Sequence, residues 1–342
     1  MKRVGLVGCG GIAKVHAEVL KNMENIQLAA FADCIPERAE AFAQQYGAEG
    51  AKAYASLQEM LKETDLDAVH ICTPHDLHVP MAVELLKHSI HVLMEKPPAI
   101  SRAQFLELTE AAERSSGVLG FCFQNRYNKT TKELDRLVQE GDLGEIKGAR
   151  AFVTWNRSQE YYTRSNWRGR EETEGGGALI NQSVHTLDLL VHYLGRPEWS
   201  EASMHNHHLK QTIEVEDTVE AYIRFATGTA CFYATTAYAA DAAVLMEFQY
   251  ERAKVRMEGN EITCHYPDGR CVRTVYDGTV GVGKSYWGDG HGACIRDYYA
   301  CLEQGSKVLN RLESVADTFG LMMDLYQSAK EHRVIPFEKE NR

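Results

Sequence analysis

The feature that most constrains this chain stands at its start. The apolar run Val4–Val7 enters Gly8-x-Gly10-x-x-Ala13, and Lys14–Leu20 continues with helical spacing. A strand, a glycine turn and a helix start, in that order, make a cradle for a pyrophosphate. The first glycine allows the tight turn, and the second lets backbone approach the phosphates with no Cβ between. The small Ala13 lets helix and strand pack closely, and the helix N-terminus faces the negative charge. Gly8, Gly10, Gly11 and Ile12 are therefore expected to contact a dinucleotide.

The residues that follow alternate as a doubly wound parallel sheet requires. Ile26–Asp33 reads as a second strand ending in an acid, 20 residues beyond Ala13. A carboxylate there can accept both hydroxyls of an adenosine ribose and would repel a 2′-phosphate, which favours NAD over NADP. Arg38 is expected either at the same end of the cofactor or on a helix surface. Pro36–Tyr46 reads as a helix, and Ser56 to Glu59 as a capping box. Leu66–Thr73 is a buried-type strand closing on Pro74, His75 and Asp76, and Leu77–Lys87 is the next helix. Ile90–Met94 leads into Glu95-Lys96-Pro97, Ser101 caps another helix, and Val118–Phe123 is a further strand. Ligands of such sheets bind at the carboxyl ends of the strands. One edge should therefore carry Gly8–Gly11, Asp33, Thr73, Pro74, His75, His78, Glu95 and Lys96.

Two domains suit 342 residues, with the boundary expected at 1–124 and 125–342. After Thr130–Glu140, a helix, Ile146–Arg157 opens a different texture. Val219–Phe225, Ala230–Ala237, Val244–Tyr250, Lys254–Glu258 and Cys271–Tyr276 read as strands of a large, mostly antiparallel sheet. Their apolar content suggests that a second subunit covers the open face, giving a homodimer or homotetramer. Leu312–His332 reads as a closing helix.

Several classes are excluded or set aside. A net charge of −11 with no basic run argues against nucleic acid. Nine cysteines without a C-x-x-C pair fit reduced thiols in the cytoplasm, not a zinc ribbon or disulfide framework. Lys2-Arg3 before an apolar run imitates a signal peptide, but the run carries glycines and continues into an amphipathic helix. No apolar stretch approaches the roughly 20 residues of a membrane span. Gly278 to Ser285 matches the P-loop of triphosphatases, yet the residues after it are glycine-rich and averse to a helix. A loop over the active site, with His291 on its far flank facing substrate, is the expectation. His205, His207 and His208 divide between two faces of a strand and read as a solvated edge, so no metal is assigned.

One more stretch reads as functional. After Gly175-Gly176-Gly177, residues Ala178–Leu194 carry an apolar stripe and a separate polar one, Asn181, His185, Asp188 and His192. Histidine-rich polar stripes lacking lysine and glutamate are unusual on solvated faces, and the glycines would let a group approach the helix start.

Together, Gly8-x-Gly10-x-x-Ala13, Thr73-Pro74-x-x-x-His78, Glu95-Lys96-Pro97 and Gly175-Gly176-x-x-x-Asn181-x-x-x-His185-x-x-Asp188 resemble the glucose–fructose oxidoreductase / inositol dehydrogenase family. Glu216-Asp217-Thr218 and Asp297-Tyr298 extend the resemblance nearly end to end. It implies a Rossmann domain joined to an α/β domain, oligomers formed through the large sheet, and a cis Lys96–Pro97 peptide. It also implies oxidation of a secondary hydroxyl of a sugar, sugar derivative or inositol with a nicotinamide cofactor. His185 would be the general base, and Lys96 would stabilise the alkoxide. The family often has aspartate where Asn181 stands, so Asn181 is expected to bond substrate or hold the imidazole, with Asp188 a substitute orienter. Asn125 and Trp167 are expected at the substrate, Trp167 with Tyr161 and Tyr162 stacking on a pyranose. Arg168 is expected at the nicotinamide side or on an anionic substrate. The alternative is an NAD-binding sensor without turnover.

Overall fold

The computed structural model describes residues 1–277 and 288–338. The triphosphatase-like stretch Gly278 to Ser285 lies outside them. The chain forms two compact units.

The first unit is a six-stranded parallel sheet of β1 (Lys2–Val7), β2 (Ile26–Ala32), β3 (Lys52–Tyr54), β4 (Ala68–Ile71), β5 (His91–Met94) and β6 (Leu119–Phe121). The order is β3-β2-β1-β4-β5-β6, the doubly wound arrangement expected. β1 is central and pairs parallel on both sides, Val4 with Leu28 of β2 and with Ala68 of β4. Central strands covered on both faces are mostly apolar, and all four residues of β4 are buried, the polar His70 among them. Local signals set the helix starts. Ser56 and Ser101 each accept an N–H from the third residue beyond, at 3.2 Å in both cases, and Pro36 opens its helix at the first turn.

This unit also takes the helix His291–Gln304, which the sequence division assigns to the second domain. The reason is packing. Tyr298 and Tyr299 are fully buried, the Tyr298 hydroxyl donates to Val118 O at 2.9 Å, and a Cβ on Gly120 of β6 would lie 2.8 Å from the Tyr298 ring.

The second unit holds the chain from Gln124 through the large sheet and again from Val315. Its strands are β7 (Ile146–Thr154), β8 (Pro197–His205), β9 (Thr218–Phe225), β10 (Gly228–Thr235), β11 (Leu245–Tyr250), β12 (Lys254–Glu258), β13 (Glu261–His265), β14 (Cys271–Val275) and β15 (Ile335–Pro336). The order is β14-β13-β12-β11-β7-β10-β9-β8-β15. Only the β7–β10 pairing is parallel; the other pairs are antiparallel. His205 ends β8, while the backbone N–H groups of His207 and His208 donate to Asp217. All three histidines are exposed.

Candidate active site

The glycine turn has the geometry its sequence requires. Gly8 sits at φ +85°, and a Cβ there would lie 2.7 Å from the Cys72 carbonyl carbon and oxygen. A Cβ on Gly10 or Gly11 would meet nothing within 4 Å. The turn is therefore closed on the protein side and open on the other, as a phosphate cradle must be. Ile12 is the residue before the helix Ala13–Lys21, and no side chain caps that helix, so its first N–H groups are left to a ligand or water.

Asp33 accepts the Cys9 N–H at 2.7 Å on Oδ2 and the Ile35 N–H at 2.9 Å on Oδ1. A carboxylate has about four acceptor positions, so two backbone bonds leave room for two ribose hydroxyls. Arg38 is exposed on the following helix. At the end of β4, the Thr73 hydroxyl is buried and makes no hydrogen bond among the described residues. An orphaned donor beside an open cradle fits a polar ligand. These features fit NAD.

Pro74 and His75 shape the turn after β4, and His75 is buried. His78 binds the protein's own backbone. Its Nδ1 lies 2.9 Å from Pro97 O and its Nε2 3.1 Å from Thr73 O, which sets the ring between the two strand-end loops. The Lys96–Pro97 peptide is cis. Lys96 is half-buried at the end of β5, and its backbone N–H donates to Glu95 Oε2 at 3.2 Å. Glu95 is buried and accepts from His16 Nε2 at 3.0 Å. Burial alone would raise its pKa. The His16 hydrogen bond and the charges of His16, His291 and Lys96 overcome that and bring it to about 2. His291, at the start of its helix, is buried in the same cluster, and burial lowers its pKa to about 4. His16, Glu95 and Cys122 bring three ligand-type atoms within 4.8 Å of one another. The His16–Glu95 contact is a hydrogen bond, and the neighbouring Cys294 with burial favours the neutral Cys122 thiol, so the set reads as hydrogen-bonded.

In the second unit the polar stripe does not survive as one face. Ala178–Ser183 winds as a π-helix before the α-helix Val184–Leu194, which shifts the register between Asn181 and His185. Glu216 holds the start of this turn. Its carboxylate accepts the N–H groups of Gly177 at 3.0 Å and Leu179 at 2.8 Å, capping the turn, and the Tyr326 hydroxyl donates to it. The glycine run makes room for that contact. A Cβ on Gly177 would lie 2.1 Å from Glu216 O, and one on Gly176 would lie 1.9 Å from the Tyr326 hydroxyl.

Asp188 does not orient His185. It is fully buried and forms a two-bond ion pair with Arg126, at 2.6 and 2.7 Å, while accepting from Thr318 at 2.8 Å. The partner that sequence reasoning missed is Gln124, whose side-chain amide lies 3.1 Å from His185 Nε2. Asn181 donates to Glu174, and His192 pairs with Asp135 at 3.1 Å. Asn125 is half-buried in the Gln124–Tyr127 turn, where its carbonyl accepts from Thr131. Trp167 and Tyr161 are half-buried and flank Arg168. The Arg168 guanidinium lies 4.6 Å from the Trp167 ring centre and 4.8 Å from that of Tyr161.

A doubly wound sheet with a glycine cradle, an acid at the end of β2 and a lysine at the end of β5 is the arrangement of a dinucleotide-binding domain. A profile for an oxidoreductase family with an NAD-binding Rossmann fold matches residues 2–123, and the profile of the GFO/IDH/MocA C-terminal domain matches residues 131–258. The chain belongs to the GFO/IDH/MocA family. It is 32% identical to the D-glucoside 3-dehydrogenase of Escherichia coli over 60% of this chain and 57% of that one. It is 29% identical to the myo-inositol 2-dehydrogenase of Thermotoga maritima over 56% and 55%. These matches span little more than half the length of either relative. Among solved structures, the WlbA dehydrogenase of Bordetella pertussis in complex with NADH and UDP-GlcNAcA superposes with a TM-score of 0.85, at 27% identity over 98% of this chain and 99% of that one. Levoglucosan dehydrogenase, in a complex with NADH, shares the fold at a TM-score of 0.88 and 19% identity, covering 99% of each chain. Among the described residues no helix is long and apolar enough to cross a membrane.

Proposed function

We propose that this protein is an NAD-dependent dehydrogenase acting on a secondary hydroxyl of a sugar, sugar derivative or inositol. The observation that carries the reading is Lys96 at the end of β5, on the strand-end edge that holds the open Gly10–Gly11 cradle and Asp33. Gly8, Gly10, Gly11, Ile12, Asp33 and Thr73 would hold NAD, which supplies a hydride acceptor when bound. Lys96, as an ammonium, stabilises the negative charge that develops on the substrate oxygen. His185 takes the hydroxyl proton. Gln124 holds the ring: its amide Nε2, 3.1 Å from His185 Nε2, donates to that nitrogen when the imidazole proton sits on Nδ1. Asn181 is bonded to Glu174, so its contribution is to shape the site, not to carry a proton.

A substrate with an acidic group is favoured by Arg168, whose guanidinium lies between the Tyr161 and Trp167 rings. The similar Bordetella pertussis structure holds UDP-GlcNAcA, which agrees with that preference. The same proposal places the protein in the cytoplasm as a homodimer or homotetramer built through the nine-stranded sheet, where Tyr222 of β9 and Val272 of β14 are exposed apolar side chains.

The test is to prepare Lys96→Met and His185→Asn and measure NADH binding and turnover on a panel of sugars, inositols and nucleotide sugars. Each variant should keep NADH binding and lose turnover by about 10²-fold or more. Near-normal turnover in either overturns the assignment.

A further inference from the structure

Four buried side chains from four elements of the first unit form one hydrogen-bonded line that ends at Glu95. The Tyr299 hydroxyl lies 2.8 Å from His70 Nε2, His70 Nδ1 lies 2.7 Å from His16 Nδ1, and His16 Nε2 lies 3.0 Å from Glu95 Oε1. His16, His70 and Tyr299 are each at most 1% exposed. With both rings neutral, the protons have one self-consistent order: Tyr299 donates to His70, His70 to His16, and His16 to Glu95. With His16 protonated, the first two bonds reverse and His16 still donates to Glu95. Glu95 is the acceptor in both arrangements, so the line takes up a proton without neutralising the carboxylate. Its other oxygen holds the Lys96 backbone N–H.

We propose that His16, His70 and Tyr299 are positioning residues for Lys96: they keep Glu95 ionised beside it and thereby set the pH range in which Lys96 is an ammonium. The proposal rests on the reading that Lys96 stabilises the substrate oxygen.

Burial raises the Cys72 thiol well above its usual range, and the neighbouring Cys294 and burial do the same for Cys122, so both stay neutral. Burial lowers His78, His291 and His70, favouring neutral rings near neutral pH. The line is not accounted for by fold alone. An apolar set of the same volume would pack the helix Ala13–Lys21 against β4 with no buried ionised carboxylate to satisfy.

The experiment reads Lys96 directly and needs no substrate. Lysines are labelled with trace acetic anhydride across a pH series, and the half-labelling pH of Lys96 is read by mass spectrometry of its peptide. Wild type, Glu95→Gln, His16→Leu and Tyr299→Phe are compared, with NADH-dependent thermal stabilisation checking the fold. Glu95→Gln and His16→Leu should lower the half-labelling pH by about one unit. Tyr299→Phe, which removes one oxygen, should lower it by a smaller amount and decides the matter if His16→Leu does not fold. An unchanged value in Glu95→Gln, or in the folded line variants while Glu95→Gln shifts, overturns the proposal. Failure of the catalytic reading is a separate result, namely turnover by Lys96→Met.

Discussion

Asn181 donates its side-chain amide to Glu174, a carboxyl that burial pushes up to about 7 even though it also accepts the Gly169 N–H. An amide is the side chain that suits this neighbour, because it donates without adding charge. Asn181→Asp would set two carboxylates in contact in a largely dry place, where they must share a proton or repel. The variant should lose about 1–3 kcal/mol of stability, with the greater loss at higher pH where both ionise. Urea unfolding near pH 6 and near pH 8 measures this, and stability equal to wild type at both would refute it.

Glu174 also makes stability depend on pH in a definite direction. Its folded pKa of about 7 lies above the ordinary 4.5, so the folded state holds this proton where the unfolded state has released it. The stabilisation is fully present below pH 4.5 and is lost as pH rises through about 7, a total of about 3 kcal/mol. Glu174→Gln should therefore flatten that part of the profile and lie closer to wild type near pH 5 than near pH 8. Unfolding free energies at the two pH values decide it.

The first sheet was legible because its signals are local. Apolar runs, the Gly8 turn and the serine caps at Ser56 and Ser101 each act within a few residues, and the alternation of strands and helices marks a parallel doubly wound sheet. β3 is only three residues long, and β13 reads Glu-Ile-Thr-Cys-His, so neither rises above its surroundings. The polar stripe failed for a different reason. Its start is held by Glu216, 39 residues away from Gly177, and its Asp188 is claimed by Arg126, 62 residues away. Residue type marked these as polar and important, but only the fold decides whom each one meets.

Asp188 tests that last point. Replacing it with Asn leaves the Arg126 guanidinium buried without its counter-charge, and Arg126 is only 4% exposed. Breaking one side of a buried pair should cost about 3–5 kcal/mol. Asp188→Asn should therefore unfold at much lower urea, while the folded fraction keeps the wild-type acid limb of the pH–rate profile. A shifted limb with unchanged stability would instead make Asp188 the partner of His185.

The two glycines of the cradle should separate folding from binding. A methyl on Gly8 meets the Cys72 carbonyl at 2.7 Å from a backbone at φ +85°, so Gly8→Ala strains the turn itself. A methyl on Gly10 meets no protein atom within 4 Å. Gly10→Ala should therefore fold with wild-type stability and yet bind NADH at least about tenfold more weakly, a loss of about 1.4 kcal/mol, because the methyl occupies the volume through which the pyrophosphate reaches the backbone. Thermal unfolding with and without NADH reads both effects in one experiment. Wild-type stabilisation of Gly10→Ala by NADH would mean that the cofactor's phosphates lie elsewhere on the sheet edge.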